Sequence, residues 1–188
     1  MDRKQLIMDA AAQSFSQFGY KATTMDQVSK IARVGKGTIY LYFSNKEELL
    51  QEIMNNVVHE MHVVALKTIE ENQSFIDYFH EAVQGMLKFR EQHELIIKLS
   101  QELKDFGTPV VYEVLQSLEE AICFFIEEKI AHAIKKKEIK DCDPKITAFL
   151  MFKMYINLVN DWKVRHQPLP KDQVAALINL YFIEGLAP

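Results

Sequence analysis

The sequence predicts an all-helical protein of about nine helices, a three-helix N-terminal head followed by a longer helical body. Three observations carry that expectation. Helix breakers are scarce, with 6 Gly and 5 Pro in 188 residues. Apolar residues recur at three- and four-residue steps over long stretches, the period of an α-helix rather than the alternation of a strand. The chain is 48% hydrophobic and 26% charged, a globular balance, and long enough to bury a core without disulfides or metal.

Leu6, Ile7, Ala10, Ala11, Phe15 and Phe18 form one stripe, so a first helix runs from about Arg3 to Phe18 and stops at Gly19. Thr24 and Gln27 make a Thr-x-x-Gln capping box that opens a second helix ending near Arg33. A short third helix runs from Lys36 to about Phe43. Ser44 with Glu47 reads as another capping box, which starts a fourth helix at Asn45 with Leu49, Ile53, Val57, Met61 and Val64 on its stripe. Ser74 opens a fifth helix bearing Phe75, Phe79, Val83 and Met86, and Glu94 to Leu103 is a sixth. Thr108-Pro109 and Asp143-Pro144 are start signals for a seventh helix, to about Lys137, and an eighth, to about Arg165. After the loop His166–Pro170, a ninth spans about Lys171 to Leu186.

The net charge of −4 argues against a nucleic-acid partner until its distribution is read. Up to residue 46, Arg3, Lys4, Lys21, Lys30, Arg33, Lys36 and Lys46 face only Asp2, Asp9 and Asp26, which leaves the remainder strongly acidic. A basic head on an acidic body suits phosphate binding, because the body repels DNA and orients the encounter. Other classes find little support. Cys123 and Cys142 are isolated thiols suited to a reducing interior. The N-terminus lacks a signal-type apolar core, and runs such as Ala121–Ile126 are too short to cross a bilayer, so a cytoplasmic protein with no membrane partner is expected. There is no nucleophile elbow, phosphate loop or paired carboxylate motif, so no enzyme and no cofactor are expected. His59 and His62 have no third ligand and are read as surface residues; Lys135-Lys136-Lys137 is read as a solvated helix end.

The informative stretch is Gly19 to Leu50. On a wheel at about 100° per residue, Ile39 and Phe43 share the inner face of the third helix. Lys36 and Tyr40 flank them on one side, Thr38 and Tyr42 on the other, while Gly37 and Leu41 point away. This outer face is poor in long charged residues and well supplied with donors for phosphate oxygens. A mid-helix Gly37 is about 1 kcal/mol worse than alanine, which close approach to a DNA strand would explain. Leu41 matches a thymine methyl.

Phe15, Gly19-Tyr20, Thr23-Thr24, Val28, Ala32, Val34, Lys36-Gly37-Thr38-Ile39-Tyr40, Tyr42-Phe43 and Lys46-Glu47 followed by Leu49 closely resemble the head of the TetR family of bacterial transcription regulators. The resemblance implies a helix-turn-helix DNA-binding domain over residues 1–46 and an effector-binding and dimerisation domain over 47–188. Thr24 would hold a phosphate. Lys36, Thr38, Tyr40 and Tyr42 would dock the recognition helix, and Lys46 would clamp a flanking phosphate. Base readout would fall to Gly35, Lys36, Gly37 and Leu41, with Met25 or Gln27. Two positions depart from the pattern. Arg33 stands where glycine is common, either strained or adding a phosphate contact, and Gly35 replaces a capping serine.

The resemblance also implies a homodimer on a palindromic operator, paired through the last two helices. Phe152, Ile156, Val159, Val174, Leu177, Ile178 and Tyr181 are the candidates for that seam. Asn157, Asn160 and Asp161 are either polar contacts in it or an exposed face. A small apolar or amphipathic effector would occupy a body pocket lined by some of Met86, Phe89, Phe106, Tyr112, Phe125, Met151 and Tyr155, although aromatic stripes are more often plain core. The expected activity is that of a ligand-responsive repressor. An activator or ligand-independent regulator shares the same head, and an adaptor that lost DNA binding is the rival that Arg33 and Gly35 leave open.

Overall fold

The computed structural model describes residues 2–67, 75–92 and 94–186, and among them every regular element is helical. Helix α1 spans Arg3–Phe18, with the Lys4 amide donating to Asp2 Oδ1 at its start. Its buried stripe includes Ile7, Ala11 and Phe15, but Phe18 stays 44% exposed, because the helix ends there and the chain turns away. Gly19 makes that turn with φ 86 and ψ 166, and its amide donates to the Phe15 carbonyl at 2.9 Å.

Helix α2 (Met25–Ala32) opens on the expected reciprocal capping box between Thr24 and Gln27. It closes at Arg33 in the left-handed conformation, φ 55 and ψ 39, which for a non-glycine residue carries backbone strain. Helix α3 (Lys36–Tyr40) is shorter than the sequence suggests. The Tyr42 and Phe43 amides both donate to the Ile39 carbonyl, so its C-terminal part is a turn that still delivers Phe43 to the core. Gly35 provides no side-chain cap, as its chemistry requires.

Helix α4 spans Lys46–Lys67, one residue later than expected, and its cap is correspondingly displaced. Asn45 Oδ1 accepts from the Glu48 amide, and Glu48 Oε2 accepts from the Ser44 amide, so Asn45 and Glu48 take the roles assigned to Ser44 and Glu47. Then follow α5 (Phe75–Gln92), α6 (Glu94–Phe106) and α7 (Pro109–Lys135). The expected cap at Ser74 lies outside the described residues, as do the side chains of Val64 and Met86. Lys137, at φ 61, ends α7 with amide bonds from Lys137 to Ile134 and from Glu138 to Ala133.

Helix α8 (Pro144–Ile156) is capped by Asp143, whose side chain accepts from the Ile146 amide. It continues without a break into a π-helical turn at Asn157–Asp161 and a 3₁₀ turn at Trp162–Val164. Helix α9 (Lys171–Ile178) likewise runs into a π-helical turn at Asn179–Ile183 and a last turn at Glu184–Leu186.

The helices gather into two compact units. The first is Met1–Glu60 with Phe89–Leu118, so it combines the head with most of α4, with α6 and with the start of α7. Its fully buried side chains include Ile7, Phe15, Val28, Ile39, Leu49 and Leu99. Lys4 pairs with Glu52 across α1 and α4. The second unit is Met61–Lys88 with Glu119–Pro188, cored by Phe75, Phe79, Ile130, Ala133, Ala148 and Met151. Val174 and Ile178, expected on a dimer seam, belong to that core. A helix buried on one side by its own protomer cannot offer the same residues to a partner, and the apolar stripe of α9 is divided in that way.

Candidate nucleic-acid interface

The head presents the predicted set on one exposed surface. Ile39 and Phe43 are buried, which fixes the rotation of α3 and turns the remaining side chains outward. Leu41 is 83% exposed and Tyr40 48%, with Tyr42, Lys36, Gly37 and Arg33 also exposed and Thr38 half-buried. The Cβ of a residue at Gly37 would meet nothing within 4 Å, so no internal packing requires glycine there. Gly37→Ala is therefore expected to raise stability by up to about 1 kcal/mol while weakening binding to cognate DNA. Melting curves and titration of a fluorescent duplex check both halves, and unchanged affinity would remove the close-approach explanation for Gly37.

The α1–α2 turn that carries this surface is tied down internally. The Thr23 hydroxyl donates to the Gly19 carbonyl at 2.8 Å and meets Ser14 Oγ at 3.0 Å, all buried. Lys46 reaches back from α4, donating from Nζ to the carbonyls of Tyr20 at 2.7 Å and Thr23 at 2.8 Å, with its ammonium 4.2 Å from the centre of the Tyr20 ring. Burial pushes the Lys46 ammonium below its usual lysine range, with the Glu102 carboxylate partly opposing it, and burial likewise raises the Tyr20 phenol. Lys46 thus holds the turn and has one proton left for a phosphate.

One other side chain differs from expectation. Met25 is buried at the start of α2, so of the pair Met25 or Gln27 only Gln27 reaches the surface. Thr24 and Gln27 are engaged with each other in the capping box. A feature not singled out from the sequence is the exposed Asp26–Lys30 pair at 2.8 Å on α2, whose four-residue spacing was the available signal. The ammonium of Lys30 holds the Asp26 carboxyl below its usual range, with a smaller contribution from Lys36.

The family model for bacterial regulatory proteins of the tetR family matches residues 7–53, the head just described. The HTH-type transcriptional regulator YhgD of Bacillus subtilis is 49% identical over 187 residues, covering 100% of this chain and 98% of YhgD. The chain belongs to the TetR family. It is a helix-turn-helix DNA-binding transcriptional regulator, not an enzyme. Among more distant TetR-type relatives, the biofilm operon negative transcriptional regulator IcaR of Staphylococcus epidermidis is 27% identical, over 95% of this chain and 98% of IcaR. A crystal structure of AibR in complex with isovaleryl coenzyme A and operator DNA superposes with a TM-score of 0.67 at 21% identity, over 96% of this chain and 98% of that one.

The expected pocket residues of this TetR-family chain do not share one environment. In the first unit Phe89 is buried, while Phe106 and Tyr112 are 64% and 54% exposed, so neither of the latter lines an enclosed cavity. In the second unit Met151 is buried in the core, and Phe125 and Tyr155 are half-buried. Phe125 stacks on His62, with ring centres 5.3 Å apart, and Lys129 lies 5.2 Å over its face. The first unit has an open groove of about 870 Å³ where α1, α4 and α6 flare apart over Met8, Ile53 and Leu95. Of the seam candidates, Phe152, Ile156, Val159 and Leu177 are half-buried and Tyr181 is exposed, beside Phe149, Leu150 and Leu180, also exposed. Among the described residues no three His, Cys, Asp or Glu side chains converge as a metal site, and no helix is long and apolar enough to cross a membrane.

Proposed function

We propose that this regulator is a ligand-responsive repressor that binds a palindromic operator as a homodimer. The observation that carries the reading is the outer face of α3, where Lys36, Gly37, Tyr40, Leu41 and Tyr42 are exposed together while Ile39 and Phe43 anchor the helix. Lys36, Thr38, Tyr40 and Tyr42 contact phosphates; Lys36, Gly35, Gly37, Leu41 and Gln27 lie against base edges in the major groove. Thr24 and Arg33 contact the flanking strand, and Lys46 acts mainly by fixing the turn behind them. The exposed apolar residues of α8 and α9, with Tyr181 among them, supply the dimer seam, so that two recognition helices read half-sites in successive major grooves.

A small apolar or amphipathic effector binds the second unit near Phe125 and Tyr155 and shifts the population toward a form in which the two heads no longer match the groove spacing. That IcaR is a negative transcriptional regulator and that AibR binds isovaleryl coenzyme A together with operator DNA favour repression and an effector over constitutive binding. Selection of duplexes from a random DNA library, with Tyr40→Ala as control, tests the reading. A palindrome enriched by the wild type alone is expected. No enrichment at low salt would favour a helical adaptor without DNA binding.

A further inference from the structure

Glu102, on α6, is one of the few charged residues buried in the described structure, and a buried carboxylate calls for hydrogen-bond donors around it. Here they come from two pieces of backbone far apart in sequence. Its Oε1 accepts from the Lys21 amide at 3.0 Å and from the Thr108 hydroxyl at 3.0 Å, and its Oε2 lies 3.3 Å from the same amide. Lys21 sits in the α1–α2 turn of the helix-turn-helix; Thr108 sits at the α6–α7 corner, next to Gly107 with φ 60. The approach is close enough that a Cβ at Gly19 would stand 2.5 Å from Glu102 Oε2, so a larger residue there, already disfavoured by the positive φ, would displace the carboxylate. The same charge acts on Tyr20 and on Lys46. Beside it, the Lys21 ammonium lies 4.9 Å over the Phe106 ring, so the last turn of α6 meets this turn at two points.

We propose that Glu102 is a positioning residue for DNA binding: its carboxylate holds the α1–α2 turn to the α6–α7 corner and so sets the orientation in which the helix-turn-helix is presented. The other bonds of the turn, among Ser14, Thr23, Gly19 and Lys46, define its shape; Glu102 supplies the hydrogen bond that fixes it to α6, beside the Lys21–Phe106 contact. The inference rests on the DNA-reading role of the head.

The test compares Glu102→Ala, Glu102→Gln and Thr108→Val in the full chain. Hydrogen exchange at the Lys21 amide is read in the free protein, and affinity is read on the duplex selected by the wild type. Glu102→Ala is expected to speed exchange at Lys21 and to weaken duplex binding about tenfold, with helix content by circular dichroism unchanged. Glu102→Gln keeps an oxygen acceptor and restores both readouts to within about threefold of wild type, whereas Thr108→Val leaves Lys21 protected and shifts affinity only. Unchanged exchange in Glu102→Ala overturns the proposal. So does an equal loss of affinity in Glu102→Gln with exchange still protected, since the hydrogen bond is then not what orients the head. If no duplex is selected, the DNA-reading role fails, and exchange at Lys21 still decides whether Glu102 holds the turn.

Discussion

Replacing Lys36 and Tyr40 together by alanine lowers operator affinity by at least about two orders of magnitude and leaves the melting temperature within about 3 °C of wild type. Both side chains are exposed on α3, so their removal costs little in folding. In the proposed binding mode each would contact a phosphate, the lysine with a charged contact of about 1.5–3 kcal/mol, and a homodimer would make each contact twice. The Lys36 component also shows in the salt dependence, whose log–log slope falls by about 0.9 for each phosphate contact removed. Titrations of the single and double variants at two salt concentrations, alongside melting curves, check both parts. A loss of affinity that merely follows a loss of stability would return these residues to an ordinary structural role.

Phe15→Ala is the larger perturbation of folding. The ring is fully buried between the helices of the head and lies 5.7 Å, centre to centre, from Tyr20. Its truncation leaves a cavity in the first unit and is expected to cost about 3–5 kcal/mol, lowering the melting transition by about 10 °C or more. Phe18, three residues on, provides the control. It stands on the same stripe by sequence spacing but is 44% exposed where Phe15 is fully buried, and its change to alanine should shift the transition far less, by about 2 °C. Calorimetry of the two variants separates them; similar losses would mean that the head is packed differently from the description above.

That contrast also shows what the sequence can and cannot convey. The positions of the helices, the Thr24–Gln27 capping box and the rotation of α3 were legible, because each depends on residues within one or two turns of one another. The α4 cap was read one residue early, since Ser44 and Asn45 are both good caps and only the geometry selects Asn45. Lys46 was expected to clamp a flanking phosphate, and its further bonds to the Tyr20 and Thr23 carbonyls, more than twenty residues away, are announced by nothing in local spacing. The same limit governs Met25, Phe106, Tyr112, Val174 and Ile178. Helical periodicity tells which face is apolar, but what covers that face is a property of the assembled fold. Glu102 is the extreme case, a glutamate in a polar-looking segment whose partners are a backbone amide and a hydroxyl on two different connections.

The wide turns at Asn157–Asp161 and Asn179–Ile183 carry a consequence for how these two helices tolerate insertion and deletion. A π-helical turn holds one residue more than the α-helical turn it replaces, so each acts as a phase shifter along its helix. Removing one residue from Asn157–Asp161 would restore uniform pitch and rotate everything beyond it, Trp162 included, by about 100° about the helix axis. A single-residue difference between relatives at this point is therefore a change of facing: it turns the exposed Trp162 and Val164 about the axis of α8 while Phe149 and Leu150, which precede the turn, keep their direction.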